Sequence, residues 1–342
     1  MDTRSFLPEW HPQWGVLLAW PHPDTDWADN LNEAETCYTQ IVQAISQREN
    51  VLLLCHDAQH QAHIEAVLGK TAQVHFVQMP YNDTWARDFG FITVMRDGKP
   101  LLLDFTFNAW GGKFDAELDN AVNAQLATHP LLTGNALETH PLVMEGGSLE
   151  TDGQGTLLTT EICLLNPNRN PTLDRTAIEA LLHESLGVER ILWLAHGHLE
   201  GDDTDAHIDT LARFADPQTI VYMSCDDPTD SHYASLQAME AELKALRQAN
   251  GEPYRLFPIP LPAGIYDEGR RLPASYVNFL IINGAVLLPV YADESTDPLA
   301  IAQMQSAFPQ HQIIPIDCRA LIAQNGSLHC VTMQIPQEVV SQ

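Results

Sequence analysis

The feature of this sequence that most limits its fold is a unit that recurs along the chain. Each unit has two apolar runs around a tight turn, then a helical stretch, then a further apolar run. Four such pairs of runs turn at positions 97–98 (Asp-Gly), 152–153 (Asp-Gly), 216–217 (Asp-Pro) and 283–284 (Asn-Gly). Asp-Gly and Asn-Gly between apolar runs are strong short-range signals for a β-hairpin. The recurrence predicts a propeller or array of modules rather than a doubly wound sheet.

Helical stretches separate the hairpins from the apolar runs that follow them. The predicted stretches are 172–187, 232–251 and 297–309, with further candidates at 31–47 and 120–132. In the second stretch, apolar residues recur at spacings of three or four, and Gly251 is expected to end the helix. The chain is therefore predicted to hold about five strand–strand–helix–strand units in one domain over residues 1–342. A two-domain α/β enzyme is the alternative.

Residues with ionisable or amide side chains occupy a similar place in successive units, just before or at the start of each hairpin. They are Asp88, Glu145, His207 with Asp209, Asn278 and, in the closing segment, Cys330. Taken alone, Cys330 is better explained as a buried cysteine that acts as a small hydrophobe than as a nucleophile. In a closed ring of modules, however, similar places converge on the central axis, so we expect these side chains to form one site.

Charge and cysteine usage limit the classes of function. The chain carries 45 acidic against 17 basic residues, a formal net charge of −28, which argues against nucleic-acid and anionic-membrane partners and favours a cationic ligand. Its six cysteines are scattered without a CxxC pair, and the first residues show neither a basic nor an apolar signal region. With no apolar run approaching a membrane span, we expect a cytoplasmic protein.

At these residues, the chain resembles the agmatine deiminase and bacterial-type peptidylarginine deiminase family of the guanidino-group-modifying superfamily. The resemblance runs from residue 9 to residue 336 and rests on six stretches: EWHPQWGVLLAWP, NDTWARDFG, FNAWGGKF, MEGGSLETDGQGTLLTTEICLLNPNRNP, GDDTDAHID and NGSLHCVTMQIP. The fold that this resemblance implies is α/β, a pentein-like five-module propeller with pseudo-fivefold ββαβ repeats.

The resemblance also implies the chemistry of the site. A guanidinium is planar and cationic, and carboxylates bind it through paired hydrogen bonds. Asp88 and Asp209 are expected to hold it, with Glu145 as a third carboxylate and a partner for His207. Cys330 is expected to attack as the thiolate, and His207 to serve as acid and base in both halves of the reaction. This chemistry requires neither a metal ion nor an organic cofactor.

The expected substrate is agmatine, hydrolysed through a covalent amidino-cysteine to N-carbamoylputrescine and ammonia in putrescine biosynthesis. Trp85 matches a family position beside the guanidinium-binding Asp88, where its face would cover a cationic or aliphatic chain. Trp110 and Asn278 are further candidates for substrate binding. After Asp88, DFGFIT replaces the usual DTGP-type continuation, so peptidylarginine and free arginine stay open as alternatives. The sequence also leaves a homodimer open.

Two other classes of function compete with this interpretation. In HGHLEGDDTDAHID, potential zinc ligands of a metallohydrolase are His196, His198, Asp202, Asp203, His207 and Asp209. A metallohydrolase leaves the segments around Cys330 and Glu145 unexplained. The other competitor is a non-catalytic polyamine-binding module, which would not need a nucleophile. Residues 202–205 are expected to form a solvated acidic loop and are left out of the site.

Overall fold

Residues 3–340 are described by the structure, a computed structural model, and they form a mixed α/β fold. Short strands alternate with helices along the chain. The strands are β1 (Arg4–Phe6), β2 (Gln13–Ala19), β3 (Asn50–Cys55), β4 (Val74–Gln78), β5 (Ile92–Arg96), β6 (Lys99–Thr106), β7 (Ala136–Val143), β8 (Glu150–Thr151), β9 (Thr156–Thr160), β10 (Arg190–Leu194), β11 (Ala212–Asp216), β12 (Thr219–Ser224), β13 (Arg255–Pro260), β14 (Tyr266–Asp267), β15 (Arg270–Arg271), β16 (Leu280–Ile282), β17 (Ala285–Val290), β18 (Gln312–Asp317) and β19 (Met333–Pro336).

The helices range from single turns to the 16 residues of the first one. They are α1 (Leu31–Ser46), α2 (Ala58–Leu68), α3 (Ala86–Phe89), α4 (Ala109–Gly112), α5 (Val122–Leu126), α6 (Glu161–Leu164), α7 (Arg175–Leu186), α8 (Tyr233–Ala245), α9 (Asp297–Ala307) and α10 (Arg319–Ile322). Within residues 3–340, no helix is both long and apolar enough to cross a lipid bilayer.

Five sheets share one connectivity, in which two antiparallel strands are followed by helical turns and then by a strand parallel to the second. The triplets are β5-β6-β7, β8-β9-β10, β11-β12-β13, β16-β17-β18 and β19-β2-β3. Strands β1 and β4 extend the first and last of these sheets, and β14 and β15 form a separate ribbon. The predicted hairpins and the predicted strand–strand–helix–strand unit are therefore confirmed.

The second strand of each triplet is largely buried. All five residues of β9 are buried, and so are the first five residues of β12 and of β17. Because consecutive side chains point to opposite faces of a sheet, both faces of these strands are covered, which explains why β12 and β17 are near-continuous apolar runs instead of alternating in polarity.

The two ends of the chain complete one sheet together. β19 pairs antiparallel with β2, which in turn pairs in parallel with β3. Gly15 on β2 permits this close approach, because a Cβ there would lie 2.2 Å from the backbone oxygen of Asn50. The incomplete N-terminal unit is thus finished by the last strand, and Cys330, just before β19, is brought next to the segment around Glu9.

Two predicted helices are shorter than expected. α8 ends at Ala245, because Leu246 is already extended with a ψ of 150°; Gly251 instead occupies a later turn, with a φ of +89°. The candidate at 120–132 is helical at Val122–Leu126, where α5 lies. Pro130 disfavours helical backbone in the residue before it, which limits any extension. The predicted single domain of residues 1–342 reaches beyond the described residues at both ends and stays a prediction.

Candidate active site

The predicted site residues lie at matching places in the five triplets. Asp88 precedes β5, Glu145 precedes β8, His207 and Asp209 precede β11, Asn278 precedes β16 and Cys330 precedes β19. All six side chains are at most 4% exposed. Asp88 and Cys330 line a cavity of about 290 Å³. The expectation that equivalent positions converge is met for this set.

Cys330 lies in this cavity with its backbone fixed by Asn278. The Asn278 Oδ1 accepts hydrogen bonds from the backbone nitrogen of His329 at 2.9 Å and from that of Cys330 at 3.3 Å, and the Cys330 Sγ lies 3.4 Å from it. The Cys330 carbonyl accepts a bond from the backbone nitrogen of Arg87. Asn278 is fully buried beneath the cysteine. Its predicted contact with substrate stays a prediction.

Asp88 is oriented by two donors. The backbone nitrogen of Gly147 donates to Oδ1 and the Trp110 Nε1 donates to Oδ2, each at 3.0 Å. Trp110 reaches this position from a turn in which Ala109, Trp110 and Gly111 all have positive φ. Left-handed backbone at non-glycine residues is strained and tends to accompany functional sites. The contact explains the FNAWGGKF motif, for which the sequence suggested no partner.

His207 lies between two of the predicted carboxylates. Its Nδ1 is 3.7 Å from the Asp88 Oδ1, and its Nε2 is 3.9 Å from the Glu145 Oε2. These distances are too long for hydrogen bonds, and both ring nitrogens are buried without a hydrogen-bond partner. The ring is thus available to exchange protons with a molecule in the site.

Glu145 is held in place by Arg169. The Arg169 Nε lies 2.9 Å and 3.0 Å from the two carboxylate oxygens of Glu145, and both side chains are fully buried. The same guanidinium donates to the Asp205 carboxylate at 2.6 Å and to the Thr204 carbonyl at 2.7 Å. Arg169 therefore ties Glu145 to the loop that leads into His207.

Only one of the two carboxylate oxygens of Asp209 has a hydrogen-bond partner among the described residues. Its Oδ2 lies 2.7 Å from the Nδ1 of His329, whereas its Oδ1 is buried without a hydrogen-bond partner. A Cβ added to Gly147 would lie 2.6 Å from the His207 Nδ1, 2.8 Å from the Asp88 Oδ1 and 3.1 Å from the Asp209 Oδ2. Glycine at 147 is therefore needed for these three side chains to share one space.

Burial and mutual charge set the protonation states of these groups. Burial, with the charges of Asp209 and Asp88, raises the pKa of the Cys330 thiol well above its usual value. Burial raises the pKa of Asp88 to about 6, although the charge of His207 opposes the shift. For His207 burial acts to lower the pKa, but the charge of Asp88 together with the interactions of Cys163 and Glu145 outweighs burial, and the pKa lies well above its usual value. Without a ligand, the site therefore favours a neutral thiol beside an imidazolium.

Aromatic rings and carboxylates form the walls of the cavity. Trp85, Trp110 and Phe114 supply apolar surface, and the Trp85 ring is wedged against Gly326, where a Cβ would come within 2.1 Å of it. The remaining acidic side chains of the lining are Asp24, Asp26, Asp83, Asp115, Asp119 and Asp203; burial raises the pKa of Asp119 to about 8, so this one is neutral at pH 7. No arginine, lysine or histidine is among the described residues that line it. The cavity is therefore suited to a cation with an apolar chain.

The residues considered as zinc ligands of a metallohydrolase do not converge. His196 and His198 are exposed and bond to Glu242 and Ser235, whereas His207 is fully buried. Among the described residues, the one group with metal-ligand spacing is Glu145, Cys163 and His207. Its carboxylate is already neutralised by the buried cation of Arg169, which disfavours a divalent ion there.

The expectation of a solvated loop at residues 202–205 needs correction. Asp203 lines the cavity and Asp205, whose φ is 66°, is paired with Arg169. No role was expected from the sequence for Arg169, His329 or Glu9. Each lies inside one of the six stretches that match the family, and this membership is the signal that could have marked them. Their hydrogen-bond partners are distant along the chain, so the sequence did not indicate what they contact.

Comparisons with known proteins agree with this geometry. The sequence matches the family model of the Porphyromonas-type peptidyl-arginine deiminases over residues 5–336. A curated protein of Vibrio parahaemolyticus, provisionally named an agmatine deiminase, is 37% identical over 98% of this chain and 97% of its own length. The match therefore extends over nearly the whole of both proteins.

Solved structures agree over the same span. A crystal structure provisionally named an arginine deiminase, from Porphyromonas gingivalis, has a TM-score of 0.94 and 52% identity, covering 99% of this chain and 100% of its own. The agmatine deiminase of C. jejuni with substrate bound has a TM-score of 0.92 and 40% identity, covering 98% and 97%. Together with the match over residues 5–336, these similarities establish that the chain belongs to the Porphyromonas-type peptidyl-arginine deiminase family.

Proposed function

We propose that this protein is an agmatine deiminase, a hydrolase that cleaves a guanidino C–N bond to give N-carbamoylputrescine and ammonia for putrescine biosynthesis. The observation that carries the proposal is the acidic cavity that ends at Asp88 and Cys330, with His207 and Asp209 beside it. The names of the relatives support the same reaction. We also propose that the five triplets are arranged as a five-module propeller in one catalytic domain, because they share one connectivity and point equivalent residues at one place.

In this proposal the guanidinium is held by two carboxylates. Asp88 and Asp209 face the same space, and the unpartnered Asp209 Oδ1 is a ready acceptor for a guanidinium N–H. Binding of the cation neutralises the two charges that raise the pKa of the Cys330 thiol. The substrate thus favours release of the thiol proton to solvent, and the thiolate forms where the electrophilic carbon lies.

The bond changes then follow in two halves. The Cys330 thiolate adds to the central guanidinium carbon, and the His207 imidazolium gives its proton to the departing nitrogen. Ammonia leaves, and an amidino group remains on sulfur. Neutral His207 next takes a proton from water as the oxygen bonds to carbon, the C–S bond breaks, and loss of one proton leaves the substituted urea. Glu145, held by Arg169, stabilises each imidazolium that forms.

Agmatine fits the cavity better than free arginine because of charge. Agmatine is decarboxylated arginine, so it keeps the ammonium group and lacks the α-carboxylate, and the cavity walls are rich in aspartate. Lys113, at the edge of this region, is already bonded to the Asp203 carbonyl and 3.2 Å from the Asp205 carboxylate. A carboxylate on the substrate would meet like charge, which costs several kcal/mol when water is excluded.

An ammonia-release assay tests this choice of substrate. The panel is agmatine, L-arginine and N-acetylarginine amide, which presents arginine without a free carboxylate. We expect kcat/KM for agmatine to exceed that for L-arginine by about 100-fold or more. If arginine or the peptide-like compound is the better substrate, the protein is a deiminase of another specificity.

The pKa of Asp88 predicts how activity depends on pH. Its carboxyl group has a raised pKa of about 6, so it is an anion above that pH and neutral below it. A neutral carboxyl group cannot form the ion pair with a guanidinium. We therefore expect kcat/KM for agmatine to fall about tenfold for each pH unit below 6. Initial rates from pH 5 to 8, with enzyme re-assayed at pH 7.5 to exclude unfolding, check this; a kcat/KM that rises on acidification contradicts it.

A further inference from the structure

His329, the neighbour of Cys330, is bonded to a carboxylate at each ring nitrogen. Its Nδ1 lies 2.7 Å from the Asp209 Oδ2, and its Nε2 lies 2.6 Å from the Glu9 Oε2. The side chain is 1% exposed. Carboxylates accept hydrogen bonds, so both short contacts are donated by the imidazole when it carries two protons. The result is a buried chain of carboxylate, imidazole and carboxylate directly behind the candidate nucleophile.

Glu9 is the fixed end of this chain. Its Oε2 also lies 2.8 Å from Arg213 and 3.4 Å from Arg87, and its Oε1 accepts a bond from the backbone nitrogen of Ile281 at 2.7 Å. Although burial acts to raise the pKa of Glu9, the neighbouring cations lower it well below its usual value. Glu9 is therefore a permanent anion in a rigid setting, and the His329 ring has little freedom to rotate.

Asp209 is the other end of this hydrogen-bonded chain, and its two carboxylate oxygens differ in their contacts. His329 occupies Oδ2, while Oδ1 is buried with no hydrogen-bond partner. An unpaired buried acceptor is costly, and such groups in native proteins are usually explained by a ligand or a catalytic role. The same carboxylate adjoins the space that Asp88 and His207 share around Gly147.

We propose that His329 is a positioning residue that fixes the plane of the Asp209 carboxylate, with Glu9 as its anchor, so that Oδ1 is presented to the guanidinium of the substrate. This inference rests on the proposed function for the identity of that substrate. Its role is distinct from catalysis, because His329 contacts Asp209 and Glu9 and takes no part in bond changes at Cys330.

Two isosteric variants separate the two contacts of His329. In His329→Asn the amide nitrogen takes the place of Nδ1, which keeps a donor for Asp209 and loses the contact with Glu9. In His329→Gln the amide nitrogen takes the place of Nε2, which keeps Glu9 and leaves Asp209 without its donor. A purely structural role would be impaired similarly in both variants. The proposal requires the glutamine variant to bind the guanidinium worse.

The first measurement is steady-state kinetics with agmatine. We expect KM to rise about tenfold or more in His329→Gln and less than about threefold in His329→Asn, with kcat changed less than KM in the glutamine variant. Thermal unfolding of both variants shows whether they are folded. Equal KM values in the two variants overturn the proposal.

The second measurement does not depend on turnover. Cys330 is alkylated with cationic 2-chloroacetamidine and, in parallel, with neutral 2-chloroacetamide, and the ratio of the two rates reports how well the site holds a planar cation. We expect this ratio to fall about tenfold in His329→Gln relative to the wild type and to His329→Asn. An unchanged ratio in the glutamine variant overturns the proposal.

The two measurements also separate this inference from the proposed function. If the wild type releases no ammonia from agmatine, the proposed substrate is wrong, while the alkylation ratio still decides the role of His329. If His329→Gln does not fold, His329→Leu replaces it, because leucine likewise leaves Asp209 without its donor. A ratio in His329→Leu equal to that of the wild type then overturns the proposal.

Discussion

We expect that replacing Cys330 by serine lowers kcat for agmatine by about 10⁴-fold or more, with the protein still folded. The substitution changes one atom and keeps the volume of a side chain that is 4% exposed. A serine hydroxyl has a far higher pKa than a thiol, and the guanidinium bound at Asp88 and Asp209 cannot ionise it. Without a nucleophile, the enzyme can still bind agmatine and stabilise charge in the transition state, and these two effects account for a small residual rate. Ammonia release at saturating agmatine is the measurement.

Cys225 supplies the matched control for this experiment. It is also buried, follows β12, and its thiol faces the Asp227 carbonyl at 3.7 Å, away from the cavity lining. Cys225→Ser should keep kcat within about twofold of the wild type, since it touches no group of the site. Normal ammonia release by Cys330→Ser would show that this cysteine is a structural residue and that the proposed mechanism is wrong.

We expect that replacing His207 by glutamine lowers kcat by about 10³-fold. Glutamine fills much of the same space between Asp88 and Glu145 but cannot deliver or accept a proton at neutral pH. Both halves of the proposed reaction pass a proton through this residue, and general acid–base catalysis contributes about 10² to 10⁴ in rate. The measurement is kcat in ammonia release, together with the pH profile, which should lose any limb that belongs to His207.

His198→Gln is the control that also tests the rival metallohydrolase. His198 is exposed and bonds to Ser235, so its replacement should leave deiminase activity within about twofold. A metal centre built on the His196 and His198 pair predicts the opposite, because loss of a zinc ligand removes activity. A large loss in His198→Gln with a small one in His207→Gln would contradict acid–base catalysis by His207 and favour the metal centre.

The hairpins were predictable because their signals are local. Asp97 and Gly98 have φ of 52° and 78°, the left-handed turn that an Asp-Gly pair adopts readily between strands. The positions of Asp88 and Cys330 could be inferred for a related reason: each stands just before a predicted strand, and repetition gives equivalent positions a common location. Periodicity along the chain thus carried information about contacts between distant residues.

What could not be predicted depends on contacts between distant residues that no pattern marks. The pairing of β19 with β2 joins the two ends of the chain, and the contact of Glu9 with His329 follows from it. Arg169 is an ordinary surface residue type that becomes fully buried because Glu145 and Asp205 surround it. The strained turn at Trp110 is set by its bond to Asp88, not by a local preference for left-handed backbone.

Covalent chemistry at Cys330 is the central claim, and mass spectrometry of the acid-quenched enzyme tests it most directly. Wild-type protein is mixed with agmatine, quenched with acid within milliseconds to seconds, digested and mapped. The covalent mechanism predicts that the peptide containing Cys330 gains the mass of agmatine minus ammonia during turnover and loses it once substrate is exhausted. Ammonia release with no adduct on Cys330 at any quench time, or an adduct on another residue, would contradict it.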